Sequence, residues 1–145
     1  MTTLDIHAHA GTVVVTLATV LLYYAFQIHV LRVKSRLDRE YDARGAKFDR
    51  YFGQDREMLA ADRIQLNLLE HLGPVLALLW MESLFVSPAV ATGAGAVYVL
   101  ARAAYPFLMG GRLGRGVRAR IVLSTGVGYL VLTTLALHLG WSLLA

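Results

Sequence analysis

A stripe of polar side chains runs through a segment that is otherwise apolar. Arg63, Asn67 and Glu70 are spaced i, i+4 and i+7, so on a helix they lie within about 60° of one another. His71 and Pro74 continue that face. A charged side chain inside a membrane helix costs about 2.5–3.5 kcal/mol on insertion scales, so Glu70 is expected to face polar partners or water. The stripe therefore predicts either an ion-pair network between helices or the wall of a polar cavity.

A second polar pair lies in the next apolar segment. Arg102 and Tyr105 are three residues apart, about one helical turn, and are followed directly by Pro106. Proline lacks a backbone N–H, so we expect a kink in the helix at this point. Arg102 either extends its guanidinium to the lipid headgroups or pairs with Glu70 or an anionic ligand. The residues alone leave both roles open.

Four apolar stretches position these side chains. They cover about 10–33, 60–86, 89–110 and 117–144, and a helix of about 20 residues crosses a hydrocarbon core of about 30 Å. Backbone polar groups in lipid must be satisfied within the segment, so helices are expected. The sequence predicts an all-α fold, an integral membrane four-helix bundle with up-down topology, in which residues 1–145 form a single membrane domain.

The composition excludes several classes of protein. Of the 145 residues, 57% are hydrophobic and 17% charged, and the mean hydropathy is +0.54. A typical soluble domain is about 45–50% apolar, and a small one buries too little surface to hide this excess. A soluble enzyme, a disordered tail and a fibrous repeat are therefore poor fits. Cysteine is absent, which excludes disulfides, thiolate metal sites and a cysteine nucleophile in this chain.

The basic residues indicate the topology. All 14 Lys and Arg lie between 32 and 63 or between 102 and 120. With four spans both clusters face the same side, which the positive-inside rule makes cytoplasmic, with both termini outside. Topology explains the basic charge, so membrane lipids are the expected partner and nucleic acid is not. Between the first two spans, residues 34–56 are expected to form a polar loop in which Gly45 and Gly53 break any long helix. The Ala-, Gly- and Arg-rich composition is typical of a bacterial inner-membrane protein.

Other polar residues have simpler interpretations. His29, His71 and His138 lie at different depths in the predicted bundle, so no two of them bracket a haem. We expect no metal site. Trp80 and Glu82 lie near the outer end of the second span, where they are expected to anchor the helix at the membrane interface.

The polar stripe resembles a known family signature. The segment RIQLNLLE (63–70), leading to Trp80, resembles the second-helix signature of the membrane-associated proteins in eicosanoid and glutathione metabolism, the MAPEG family. Arg102-x-x-Tyr105 resembles the third-helix signature, and VLRVK (30–34) resembles the end of the first helix. The likeness covers nearly the whole chain.

The resemblance implies a homotrimer that holds glutathione, as co-substrate, between neighbouring subunits near the cytoplasmic side. It implies glutathione contacts by Arg32, Arg63, Gln65, Asn67, Glu70, Arg102 and Tyr105. It assigns catalysis to Tyr105 and to an arginine of the fourth helix, for which Arg115 and Arg118 are the candidates because a gapless count reaches Gly116. The implied activity is that of a membrane glutathione transferase or peroxidase, whose activated thiol attacks a lipophilic small-molecule substrate, either an electrophile or a hydroperoxide.

Two departures from the family pattern keep an alternative open. Met109 occupies a position where related enzymes carry a tyrosine near the thiol, and His71 replaces another aromatic hydroxyl. The alternative is a non-catalytic family member that binds a lipid or a partner membrane protein. A channel or transporter is a third possibility.

Overall fold

The computed structural model describes residues 5–114 and 119–144, and only the backbone of Arg120. Four helices follow one another in these residues: α1 (Ala10–Asp42), α2 (Arg56–Phe85), α3 (Pro88–Met109) and α4 (Ala119–Ser142). Helices α2 and α3 pack against each other and each contacts both α1 and α4, whereas α1 and α4 do not touch within the described residues. The predicted all-α fold with four helices is confirmed.

Contacts at the helix ends show how neighbouring helices run. The backbone N–H of Leu113, just after α3, donates to the carbonyl of Arg56 at the start of α2 (2.9 Å). At the other end of the bundle, His9 beside the start of α1 contacts Ser83 in the last turn of α2 (2.9 Å). His138 near the end of α4 contacts Glu82 in the same turn (2.8 Å). Helix α2 is therefore antiparallel to α1 and α3 and parallel to α4.

Helix α1 is longer than the predicted span of 10–33. It continues to Asp42, so the expectation of a loop over 34–56 is wrong for residues 34–42, which are helical. The reason is an apolar stripe at helical spacing: Val33 and Leu37 are buried against Met58 and Ala61 of α2. The chain leaves the helical path at Gly45, whose φ of 67° favours glycine.

The other helix boundaries follow from capping residues. Asp55 caps α2, since its carboxylate accepts from the backbone N–H of Glu57 (2.9 Å) and Met58 (3.1 Å). Helix α2 therefore begins four residues before the predicted 60. Ser87 caps α3 (3.3 Å to the N–H of Val90), and Pro88 occupies its first turn.

A close approach of three helices fixes the middle of the bundle. A side chain at Gly95 of α3 would overlap Val15 of α1 and Leu79 of α2, and Ala91, one turn away, is fully buried. Small residues of α3 thus let the backbones of the three helices approach one another. Three of the four helices are long and apolar enough to cross a membrane, namely α1, α2 and α4 over Ile121–Ser142. With 22 residues α3 has the length, but its glycines and Arg102 lower its mean hydropathy.

Candidate functional site

A groove of about 610 Å³ lies between α2, α3 and α4. Its lining combines polar and apolar side chains. The polar side chains are those of Arg63, Asn67 and Glu70 of α2 and Tyr105 of α3. The apolar and aromatic side chains are those of Met109, Leu113, Ile121, Val122 and Tyr129. The groove therefore offers charges and an apolar surface to one and the same ligand.

Two oppositely charged side chains of the groove lining lie next to each other. The Arg63 guanidinium lies 3.3 Å from the Glu70 carboxylate, and both side chains are about half exposed. The Tyr105 hydroxyl lies beside Arg63. An exposed ion pair of this kind contributes little stability, on the order of 0–1 kcal/mol. Both groups are therefore available to exchange their mutual contact for contacts with a zwitterionic ligand.

Arg102 lies behind the groove wall and is fully buried. Its guanidinium donates to the Asn67 side-chain oxygen and, over 2.9 Å, to Nδ1 of His71. It also lies 5.1 Å from the centre of the Tyr98 ring, a favourable cation–π distance. Its Nε has no hydrogen-bond partner among the described residues. Burial excludes an extension to the headgroups, and no direct hydrogen bond to Glu70 occurs in the described part of the chain.

The structure brings part of the predicted site together. Arg63, Asn67, Glu70 and Tyr105 share the groove, whereas Arg102 does not line it. Gln65 is half-buried outside the groove lining. Arg32 is exposed on α1, where it lines a separate surface cavity with Arg36 and Arg39. The two candidates for the helix-four arginine, Arg115 and Arg118, lie outside the described residues.

The sequence that forms these helices and carries these polar residues matches a known protein family. The MAPEG family model matches residues 11–141. The chain belongs to the MAPEG family. No curated protein and no solved structure matches the sequence at the significance applied. Family membership and three helices apolar enough to span make this MAPEG protein an integral membrane protein.

Sequence reasoning expected an arginine of the fourth helix at the site and missed the other α4 residues that line the MAPEG groove. Tyr129 lines it and packs edge-on against His71, with ring centres 4.6 Å apart. Gly128 makes room for Arg102, because a side chain there would overlap the guanidinium. The signal was the segment TGVGY (125–129), which places two glycines beside a tyrosine within an apolar helix.

A second polar cluster lies at the carboxyl-terminal end of α2. Glu82 is fully buried and accepts from Nδ1 of His138 (2.8 Å), while its second carboxylate oxygen has no partner in the described residues. Next to it, Ser83 contacts His9 and Thr12, each at 2.9 Å. The expectation that Glu82 anchors the helix at the interface is wrong, because its side chain has no exposed surface and contacts His138 of α4. We call these five residues the far cluster.

Metal binding finds no support in the described residues of the MAPEG chain. No group of three or more His, Asp or Glu side chains there is arranged to hold a metal ion.

Proposed function

We propose that this MAPEG protein is a membrane glutathione transferase or peroxidase that activates the glutathione thiol for attack on a lipophilic substrate. One observation carries the proposal: a single groove joins an exposed Arg63–Glu70 pair to an apolar lining in a membrane protein. A water-soluble thiol peptide and a lipid-soluble partner need two such surfaces side by side.

The charged side chains of the groove are complementary to the charges of glutathione. The tripeptide carries two carboxylates and one ammonium group. A guanidinium binds carboxylate through charge-assisted hydrogen bonds, and a carboxylate binds ammonium. Arg63 and Glu70 are 3.3 Å apart and half exposed, so a zwitterionic amino-acid end can replace each group's present partner.

The thiol must lose its proton before it reacts. A free thiol has a pKa near 8.5 and is therefore mostly protonated at neutral pH. A nearby guanidinium and a hydroxyl donor stabilise the thiolate; Arg63 and Tyr105 offer both in the groove. Arg115 or Arg118 remains the predicted arginine of the fourth helix for this role.

Two reactions follow from a bound thiolate. With an electrophile, the sulfur forms a bond to carbon while the leaving group departs with the bonding electrons, and the thiol proton passes to water. With a hydroperoxide, two glutathione molecules give up two electrons in total and form a disulfide. The hydroperoxide takes up these electrons with two protons and yields an alcohol and water. In both reactions the apolar lining, with Ile121 and Val122, holds the lipophilic partner.

A homotrimer completes the proposed site. Arg32 and Gln65 lie outside the groove of their own chain, so within a trimer they are suited to approach the groove of a neighbouring subunit. The basic loops would face the cytoplasm of a bacterium, where glutathione is supplied, and both termini would lie outside the inner membrane.

The second candidate is a non-catalytic member that binds a lipid or a partner membrane protein. It is favoured by Met109, which lines the groove at the position where a catalytic hydroxyl is expected. Such a protein would keep the apolar groove and lack turnover.

The test is glutathione conjugation of an aryl halide by the purified protein in detergent or nanodiscs. We expect turnover in the wild type and a loss of at least tenfold in Arg63→Ala and Glu70→Gln, since each removes a charged contact worth about 1.5–3 kcal/mol. Arg44→Ala is the matched control, because Arg44 is an exposed arginine outside the groove. An unchanged melting temperature at millimolar glutathione, together with no turnover, would favour the non-catalytic candidate.

A further inference from the structure

The partners of Arg102 must all be hydrogen-bond acceptors. A guanidinium carries five N–H donors and no acceptor. The Asn67 amide therefore turns its oxygen towards Arg102, and His71 presents the lone pair of Nδ1. Both orientations follow from the chemistry of arginine and do not depend on how the amide or the ring is assigned.

Because its oxygen contacts Arg102, the Asn67 side chain can offer a ligand only hydrogen-bond donors. Its side-chain oxygen is bonded to Arg102, and the rest of its amide is the NH₂ group, which carries two donors. Asn67 is also the residue that the buried arginine and the groove share, since it lines the groove and Arg102 does not. The amide can therefore offer N–H groups to the groove.

The same contact fixes the state of His71. A ring whose Nδ1 accepts from arginine is neutral and carries its proton on Nε2. The charged and titratable groups around this ring are Arg102 from α3, Tyr129 from α4 and Glu70 on its own helix. A histidine with Nδ1 protonated could not accept the hydrogen bond from Arg102.

The guanidinium is held in place from two further sides. The Tyr98 ring lies 5.1 Å away on α3, and on α4 Gly128 leaves the space that the guanidinium fills. With no exposed surface, Arg102 has no other direction in which to point its donors. The arrangement constrains which side of the Asn67 amide faces the groove.

We propose that Arg102 is a positioning residue, which acts through Asn67 to present the amide NH₂ to the groove and so selects a ligand that offers a carboxylate or carbonyl oxygen at that point. The inference rests on the proposed function for the identity of the ligand, glutathione. In this proposal Arg102 orients the binding surface and does not touch the ligand. The residues in direct contact with the ligand are Arg63, Asn67, Glu70 and Tyr105.

A double-mutant cycle on glutathione affinity tests this role. We expect Arg102→Met and Asn67→Ala each to weaken binding about tenfold, the effect of losing one hydrogen bond to a ligand acceptor. The double variant should bind about as weakly as either single variant, because both changes remove the same contact. Arg44→Met, at an exposed arginine outside the groove, should leave the affinity unchanged. Losses that multiply to about a hundredfold would overturn the proposal, since Arg102 would then touch the ligand itself.

Asn67→Asp tests the orientation without removing an acceptor for Arg102. The aspartate keeps an oxygen towards the guanidinium and replaces the NH₂ by a second oxygen. We expect at least a tenfold loss of glutathione affinity, because an acceptor then faces an acceptor. Wild-type affinity in this variant would show that an oxygen already faces the groove, and would overturn the proposal.

Nitrogen NMR of the ligand-free protein separates this inference from the proposed function. We expect His71 to show an unprotonated, hydrogen-bonded Nδ1 and a protonated Nε2 at neutral pH, and Arg102→Met to abolish the Nδ1 hydrogen-bond shift. A protonated Nδ1 in the wild type would overturn the orientation argument. Failure of the wild type to bind glutathione would instead overturn the proposed function, and the NMR result would still decide whether Arg102 orients its neighbours.

Discussion

Two buried polar clusters lie along α2, one near the middle of the helix and one near its carboxyl-terminal end, and each contains one charged residue with no exposed surface. In the groove cluster, Arg102 with Asn67 and His71, the buried charge is positive. In the far cluster it is the carboxylate of Glu82, which is bonded to His138. The groove cluster shares Asn67 with the groove, whereas no residue of the far cluster lines that groove.

The difference shows that a buried charge does not by itself identify a functional site. Burying an ion costs several kcal/mol unless its partners compensate for the lost water. In the far cluster the carboxylate is compensated by His138 of α4, and the neighbouring Ser83 connects α2 to the start of α1. In our proposal the groove cluster orients a side chain that lines the groove. Contact with a cavity separates the two roles.

The strongest test of this contrast is removal of the far-cluster histidine. His138→Ala leaves the Glu82 carboxylate buried without the partner that it has now. We expect the free energy of unfolding in detergent to fall by about 3 kcal/mol. Glutathione affinity of the folded protein should not change, because no residue of the far cluster lines the groove.

A paired apolar variant is the control for this prediction. In Glu82→Leu/His138→Leu both polar groups are replaced, so no buried charge is left alone, and stability should return close to that of the wild type. A loss of glutathione affinity in either variant, with the fold intact, would contradict the division of roles between the two clusters.

A smaller effect, felt in both properties, is expected at Gly128. The side chain added in Gly128→Ala overlaps the Arg102 guanidinium, which must shift from its present contacts with His71 and Asn67. Overpacking of this kind costs about 1–3 kcal/mol of stability. Because the displaced arginine no longer orients the amide, we also expect weaker glutathione binding, measured by calorimetry on the same samples.

Gly140→Ala is the matched control on the same helix. A methyl group at Gly140 meets no atom within 4 Å, so stability should stay equal or rise slightly through the better helix propensity of alanine. If Gly128→Ala bound glutathione like this control, Arg102 would not depend on the space at Gly128.

The helices could be predicted from the sequence because their signals are local. Apolar length gave all four helices, and the spacing of Arg63, Asn67 and Glu70 gave the inward face of α2. The end of α1 was misjudged because Val33 and Leu37 continue an apolar stripe into a basic stretch. Because of the high local charge density, the buried position Leu37 was assigned to a loop.

The partners of the buried charges could not be predicted in the same way. Glu82 and His138 are 56 residues apart in sequence, and nothing near Glu82 shows that α4 comes alongside. Arg102 was expected to reach the headgroups or to pair with Glu70 or an anionic ligand. Its contact with Asn67 could not be predicted, because it depends on how α2 and α3 pack. Long-range packing decides whether a polar residue in an apolar segment is buried.

The smallest effect is expected at an exposed carboxylate outside both clusters, which gives the contrast a reference point. In the loop between α1 and α2, Asp49 accepts from the backbone N–H of Phe52 (2.9 Å) and Tyr51 (3.1 Å). These hydrogen bonds, that from Phe52 first, lower the pKa of Asp49 below its ordinary value. These hydrogen bonds therefore stabilise the turn fully at pH values above the pKa that Asp49 has in the unfolded chain. The stabilisation is lost as the pH falls through the lower pKa that Asp49 has in the folded protein.

NMR titration should show faster amide exchange at Tyr51 and Phe52 over that acidic range, and Asp49→Asn should abolish the pH dependence. Because water already solvates this carboxylate, the response of global unfolding should be much smaller than the response to the loss of the Glu82 partner. A shift of the unfolding midpoint in Asp49→Asn as large as that in His138→Ala would contradict the argument that burial makes the partner of a carboxylate essential.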